Sequence, residues 1–146
     1  MHLGQRLLFY SMVGVFNEIV FTSLKTVYYH KNFMLHGNTQ LWVILLYISG
    51  GLLFEKVYKA VPNVYKRINI YILLIYAIEY SGGWILHQIL GECPWEYKEY
   101  GNVHGFIQLS YTPFWGFFAI VANYCVYISL HFELVHRNEL IGIIQN

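Results

Sequence analysis

Residues 68–91 read INIYILLIYAIEYSGGWILHQILG. A membrane-spanning helix needs about 20 mostly apolar residues, and this stretch has that length with a single acidic side chain, Glu79, at its centre. An ionisable residue at a helix centre costs about 2.5–3.5 kcal/mol on an insertion scale, against about −0.3 to −0.6 kcal/mol for each Leu, Ile, Phe or Val. The Ile and Leu residues of the segment match or exceed the Glu79 penalty. It reads as a transmembrane helix.

Working outward from it, three further windows qualify. Residues 39–58 hold an uncharged core from Leu41 to Phe54, and residues 111–132 carry no acidic or basic side chain except His131. Residues 7–29 are the weakest window, interrupted by Glu18 and Lys25. Composition agrees, since 12% of the 146 residues are charged where a soluble domain has roughly 25%. A net charge of +1 supplies no basic field for nucleic acid. The expected fold is all-α, a polytopic membrane protein forming one domain over residues 1–146. Its four-transmembrane-helix bundle has spans at 7–29, 39–58, 68–91 and 111–132 and a long link between spans three and four. No internal repeat beyond the four spans is evident. No signal-peptide cleavage site follows the first apolar run, so span one is expected to stay in the mature chain.

Orientation follows Lys and Arg in the connections. Lys59, Lys66 and Arg67 join spans two and three, with Lys56 at the edge, whereas Glu92, Glu96 and Glu99 outweigh Lys98 in the next link. The basic link is expected in the cytoplasm, and an even number of spans puts both termini there too. Lys25 and Lys31 count against this. Many Tyr and Trp residues fall near span ends, where amphipathic rings settle.

A carboxylate in hydrocarbon pairs, faces the bundle interior or takes up a proton. Glu18, Glu79 and Glu55 are therefore the leading candidates for a substrate or ion site. Helical spacing gives each its neighbours. Ser11, Gly14, Glu18, Thr22 and Lys25 form one stripe with Asn17 beside it; Tyr47, Gly51, Glu55 and Tyr58 form a second. Tyr76, Glu79, Gly83 and His87 form a third, and Gly116, Asn123 and Tyr127 a fourth. The simplest bundle turns all four inward, with glycines allowing close approach and polar groups satisfying one another. Interhelical packing alone is the competing explanation of these stripes. For Glu55 it is the better one, with the carboxylate reaching headgroups or a nearby Lys56 or Lys59. Asn17, Thr22, His87 and Asn123 complete the candidate set. Glu79 and His87 lie about 12 Å apart along the helix axis and cannot share a metal within it. No His or Cys pair has zinc-ligand spacing, so no metal or cofactor is expected. The link Gly91–Tyr111 is unusually long for a structureless connection and is expected to cap the bundle mouth rather than dip into the membrane.

Several segments, in order, carry a family resemblance. They are Asn17-Glu18 with Phe21-Thr22; Trp42, Tyr47 and Phe54-Glu55-Lys56-Val57-Tyr58; Glu79-Tyr80 with Gly83; Cys93-Pro94-Trp95-Glu96-Tyr97; and Gly105, Leu109 and Trp115. Together they resemble the transmembrane protein 229 family and, more distantly, the bacterial family labelled putative ABC-transporter type IV. The resemblance spans roughly Phe9 to Val126. It implies four spans and gives weight to Glu18, Glu55, Glu79, Trp95, Glu96 and Tyr97 as motif positions. It implies no activity, because fold-level analogy does not establish function.

The expected function is that of a small transporter or permease-like component holding a proton, cation or small substrate at intramembrane Glu residues. The expected partners are the lipid bilayer and either a second copy of the chain or another membrane subunit, since four spans alone make a thin pathway. An ATP-driven role would require a further subunit. An assembly or adaptor protein is the alternative. A lipid-acting enzyme ranks lower, because no nucleophile or metal site supports it.

Overall fold

The computed structural model describes residues 2–31 and 33–144, with side chains through Leu134. Helices α1 (Leu3–His30), α2 (Trp42–Ala60), α3 (Val64–Leu90) and α4 (Thr112–Ile144) account for most of the chain. Three helical segments, Leu3–His30, Val64–Leu90 and Leu109–Leu134, are long and apolar enough to cross a membrane. The fourth helix, α2, has 19 residues and carries Glu55, Lys56 and Lys59 near its end.

The helix ends have local causes. Asn63 caps α3, its side-chain oxygen accepting from the Lys66 backbone N–H at 3.0 Å, which starts that helix four residues before the expected window. Gly91 closes α3 in the left-handed region at φ 81°, which costs a glycine little. Pro62 disfavours helical geometry in the residue before it, and Val61 is extended, so α2 stops at Ala60. Pro113 lies in the first turn of α4, where its missing N–H does no harm. Residues 39–41 are not helical as expected. Their polar groups are taken instead by α1 and by the link, through Thr39 to Glu18 and Gln40 to Pro94.

Helix α2 packs against α1, α3 and α4, while α1 and α4 approach each other less closely. The buried core comprises Tyr10, Phe54, Tyr71, Ile75, Phe118, Ala119, Ala122 and Val126. Tyr71 is fully buried, stacks on Phe54 with ring centroids 4.3 Å apart and donates to the Phe54 carbonyl at 2.9 Å. One side chain thus joins α2 to α3.

The α1–α2 interface contains a repeat that extends the Gly14–Glu18 and Tyr47–Gly51–Glu55 stripes to Arg6, Tyr10 and Val43. Arg6, Tyr10, Gly14 and Glu18 succeed one another at four-residue steps in α1, and Val43, Tyr47, Gly51 and Glu55 do so in α2. The two series run antiparallel. The Tyr47 ring fills the space where a Gly14 side chain would stand, and the Tyr10 ring does the same at Gly51. Each phenol then reaches the glutamate one turn beyond the glycine it covers. Tyr47 Oη donates to Glu18 at 3.0 Å, and Tyr10 Oη donates to Glu55 at 2.7 Å. A spacing of four keeps all three groups on one face, and absence of a side chain at each glycine lets the helices close.

The inward arrangement of all four polar stripes needs correction. Helix α4 turns Phe118, Ala119, Ala122, Val126 and Ser129 inward, while Tyr127 is exposed. Small alanines admit close packing there, and the buried guanidinium of Arg67 draws Asn123 sideways, its Nε donating to Asn123 Oδ1 at 2.7 Å. On α3, His87 is exposed. The link, expected to cap the bundle mouth, contains a two-residue antiparallel ladder of β1 (Asn102–Val103) and β2 (Ile107–Gln108), then a 3-10 turn, Leu109–Tyr111. Phe106, Ile107 and Gln108 are buried, with Phe106 lying over Gly83 of α3.

Gly14→Ala and Gly51→Ala should each lower stability by about 1–3 kcal/mol through overpacking. Gly50→Ala, whose added methyl would meet Ile78 at an ordinary 3.5 Å, should stay close to wild type. Thermal midpoints of the three variants in mild detergent provide the comparison.

Candidate functional site

The polar face of α1 meets α2, α3, α4 and the link around a cavity of about 260 Å³. Glu18 and Glu79 both line it, and so do Asn17, Thr22, Trp95, Glu96 and Tyr97. Sequence spacing alone could not bring α1, α3 and the link to one place. Most of the remaining wall is apolar or aromatic.

Each polar residue has a defined task. Asn17 Nδ2 donates to the Val13 carbonyl at 2.8 Å. Thr22 Oγ1 donates to the Glu18 carbonyl at 2.9 Å and accepts the Asn38 backbone N–H at 2.8 Å. These bonds spend polar atoms on the backbone. The second also anchors the α1–α2 connection, so that Thr39 Oγ1 donates to Glu18 Oε2 at 3.3 Å beside the Tyr47 phenol. Across the cavity, Tyr97 of the link donates to Glu79 Oε1 at 2.6 Å. Glu79 Oε2 is buried without a hydrogen-bond partner among the described residues. Trp95 Nε1 donates to the Phe106 carbonyl at 3.2 Å, and Glu96 pairs with Lys98 at 3.3 Å.

The link is fastened over the cavity at several points. Lys25 Nζ lies 3.4 Å from Glu99 Oε1 and over the rings of Tyr97 and Tyr111, at 5.8 and 5.4 Å. Within its own helix Lys25 lies over the Tyr29 ring at 5.9 Å, and its acidic partner comes from the link. A hydrogen bond from its own backbone N–H, followed by the Lys25 ammonium, holds the Glu99 carboxyl below the usual carboxylate range. Tyr80 Oη and His104 Nδ1 are 2.8 Å apart. Burial pushes the Cys93 thiol up, away from the thiolate that a nucleophile needs.

Three candidates lie elsewhere. Asn123 serves Arg67, as described. The His87 ring lies 5.8 Å from that of Phe106, on the outside of α3. Glu55 is 5% exposed, and its partners are Tyr10 and Arg6 rather than Lys56 or Lys59. Arg6 Nε is 3.5 Å from Glu55 Oε1, and its Nη1 also bonds Glu133 of α4. One guanidinium therefore bridges two carboxylates and joins three helices. Residue order signals this only through the four-residue step from Arg6 to Tyr10, which becomes informative beside its counterpart in α2.

A family model described as Putative ABC-transporter type IV matches residues 6–144. The chain belongs to that family. The match begins at Arg6 and so includes both tyrosine–glutamate pairs and the whole cavity wall. No solved structure matches the chain. Family membership agrees with a transporter-like membrane protein and with the apolar helices, and it names no substrate.

Removing one partner of a buried ion pair costs about 3–5 kcal/mol because a charge is left uncompensated. Arg6→Met should therefore destabilise strongly, and Arg6→Met combined with Glu55→Gln should regain a large part of the loss. A double-mutant cycle of thermal stability in detergent tests the coupling. Tyr97→Phe removes the phenolic donor to Glu79 and should increase amide hydrogen exchange of residues 95–108, leaving α1–α2 exchange unchanged.

Proposed function

We propose that this chain is a small permease-like component of a membrane transporter. Glu18 and Glu79 hold the transported proton, cation or cationic substrate inside the helix bundle. The observation that carries the reading is the pair of carboxylates on one cavity, with Glu79 Oε2 buried and unpartnered. Among the described residues both receive hydrogen bonds from hydroxyls, and neither is in an ion pair with a cationic side chain. Ionisable groups kept inside a membrane bundle commonly mark ion or substrate pathways. Substrate and coupling-ion sites of many transporters lie near the bilayer midplane.

The reading takes α2 as the fourth span, with the basic α2–α3 connection and both termini in the cytoplasm. It places the chain with the transmembrane protein 229 family on the motif series from Asn17-Glu18 to Trp115. The pathway is completed by a second copy of the chain or by another membrane subunit in the lipid bilayer. The hydroxyl bonds on Glu18 and Glu79 also favour a second reading, an assembly protein whose carboxylates serve as interhelical ties.

Flux separates the two. Purified protein in proteoliposomes should pass protons or cations down an imposed gradient, and Glu18→Gln and Glu79→Gln should each reduce that flux at least tenfold with folding preserved. Unchanged flux in both variants would exclude the transport reading. Loss of thermal stability with flux intact would favour the assembly protein.

A further inference from the structure

The two halves of the α1–α2 repeat are built alike and equipped differently. At one end, Tyr10 and Glu55 meet the guanidinium of Arg6, which lies between Glu55 and Glu133. At the other, Tyr47 and Glu18 meet the cavity, with Glu79 as the second carboxylate. The position that corresponds to Arg6 in the α2 series is Val43. Val43 is buried and lines the same cavity. The chain thus supplies its own organic cation to one tyrosine–glutamate pair and an uncharged, apolar side chain to the other.

We propose that the cavity beside Glu18 and Glu79 is a binding site for a small organic ammonium ion. The inference rests on the transport reading above and narrows its substrate class. The cation would take the place, relative to Tyr47, Glu18 and Glu79, that the Arg6 guanidinium takes relative to Tyr10, Glu55 and Glu133. Two features favour an organic over an inorganic ion. Among the described residues, no group of three or more His, Cys, Asp or Glu could hold a metal ion, and hard cations need several oxygen ligands. The wall around the carboxylates is aromatic, with Phe21, Tyr47, Trp95, Phe114, Trp115 and Phe118. Such rings attract ammonium groups through their faces and solvate an attached hydrocarbon body. The remaining charged residues of the wall are already engaged, Lys25 with Glu99 and Glu96 with Lys98.

Size sets a limit. An apolar cavity of about 150 Å³ accepts benzene, so 260 Å³ suits a ligand of about ten non-hydrogen atoms. The charge ends at Glu79 Oε2 and Glu18, and the apolar part lies against the rings of α4. A buried charge is tolerated when paired and hydrogen-bonded, and two carboxylates already oriented by Tyr47 and Tyr97 meet that need.

The test uses phenethylammonium chloride, its neutral counterpart 2-phenylethanol and sodium chloride, titrated onto the full-length protein in detergent. Tryptophan fluorescence reports on Trp95 and Trp115, and isothermal titration calorimetry gives stoichiometry. Phenethylammonium should bind saturably and at least tenfold more tightly than 2-phenylethanol. Glu18→Gln and Glu79→Gln should each weaken it at least tenfold. Val43→Arg, which supplies the missing cation in cis, should abolish binding while keeping the wild-type elution profile. The wild-type comparison of charged and neutral probes decides the matter even if Val43→Arg does not fold. Equal binding of both probes would overturn the proposal in favour of a merely apolar pocket. A glutamate-dependent proton or sodium flux without phenethylammonium binding would overturn it too, leaving the transport reading intact. Absence of both flux and binding would remove the two together.

Discussion

Close approach of α1 and α2 is the constraint on which the rest of this bundle depends. Two helices can lie this near only if a side chain is missing where they cross, and here it is missing twice, at Gly14 and Gly51. Each vacancy is filled by a tyrosine from the facing helix. The phenol is long enough to carry its hydroxyl past the glycine to the glutamate one turn on. A single packing solution therefore fixes the helix separation and satisfies two carboxylates that hydrocarbon would otherwise penalise.

From that pairing the two ends of the bundle diverge. At the Glu55 end the charge is closed by Arg6, which reaches α4 through Glu133, and the neighbouring core is dense around Tyr10, Phe54 and Tyr71. At the Glu18 end no cation is supplied from α2, and the helices enclose space instead. The link occupies the opening, bringing Tyr97 to Glu79 and Glu99 to Lys25. The ion-paired carboxylate thus stands at one end, and at the other two carboxylates stand in a largely aromatic cavity. A cavity gives up packing contacts that the surrounding core must offset.

Much of the architecture was legible in residue order because hydrophobic length is a local property. Residues 68–91 announced α3, and Glu18 and Glu79 stood out because charge in such runs is costly. Trp95, Glu96 and Tyr97 were marked by their motif, and the structure gives them a cavity to line. Other candidates lie away from that cavity for equally physical reasons. Asn123 and His87 share a stripe or a face with residues of interest, but helical periodicity fixes relative angle and not the direction that faces the neighbours. The nearby lysines suggested for Glu55 are adjacent in sequence yet point outward, while Arg6 is distant in sequence and adjacent in space.

By itself the sequence determined which segments are apolar enough to enter a membrane and where polar groups interrupt them. These follow from composition and backbone chemistry within a few residues. Only the tertiary structure decided that Glu18 and Glu79 share one cavity, that Arg6 answers Glu55, and that Val43 stands where a second arginine would complete the repeat. Those facts depend on the crossing of antiparallel helices, and a crossing is set by how side chains of separate segments fill one another's gaps, information that no single helix contains.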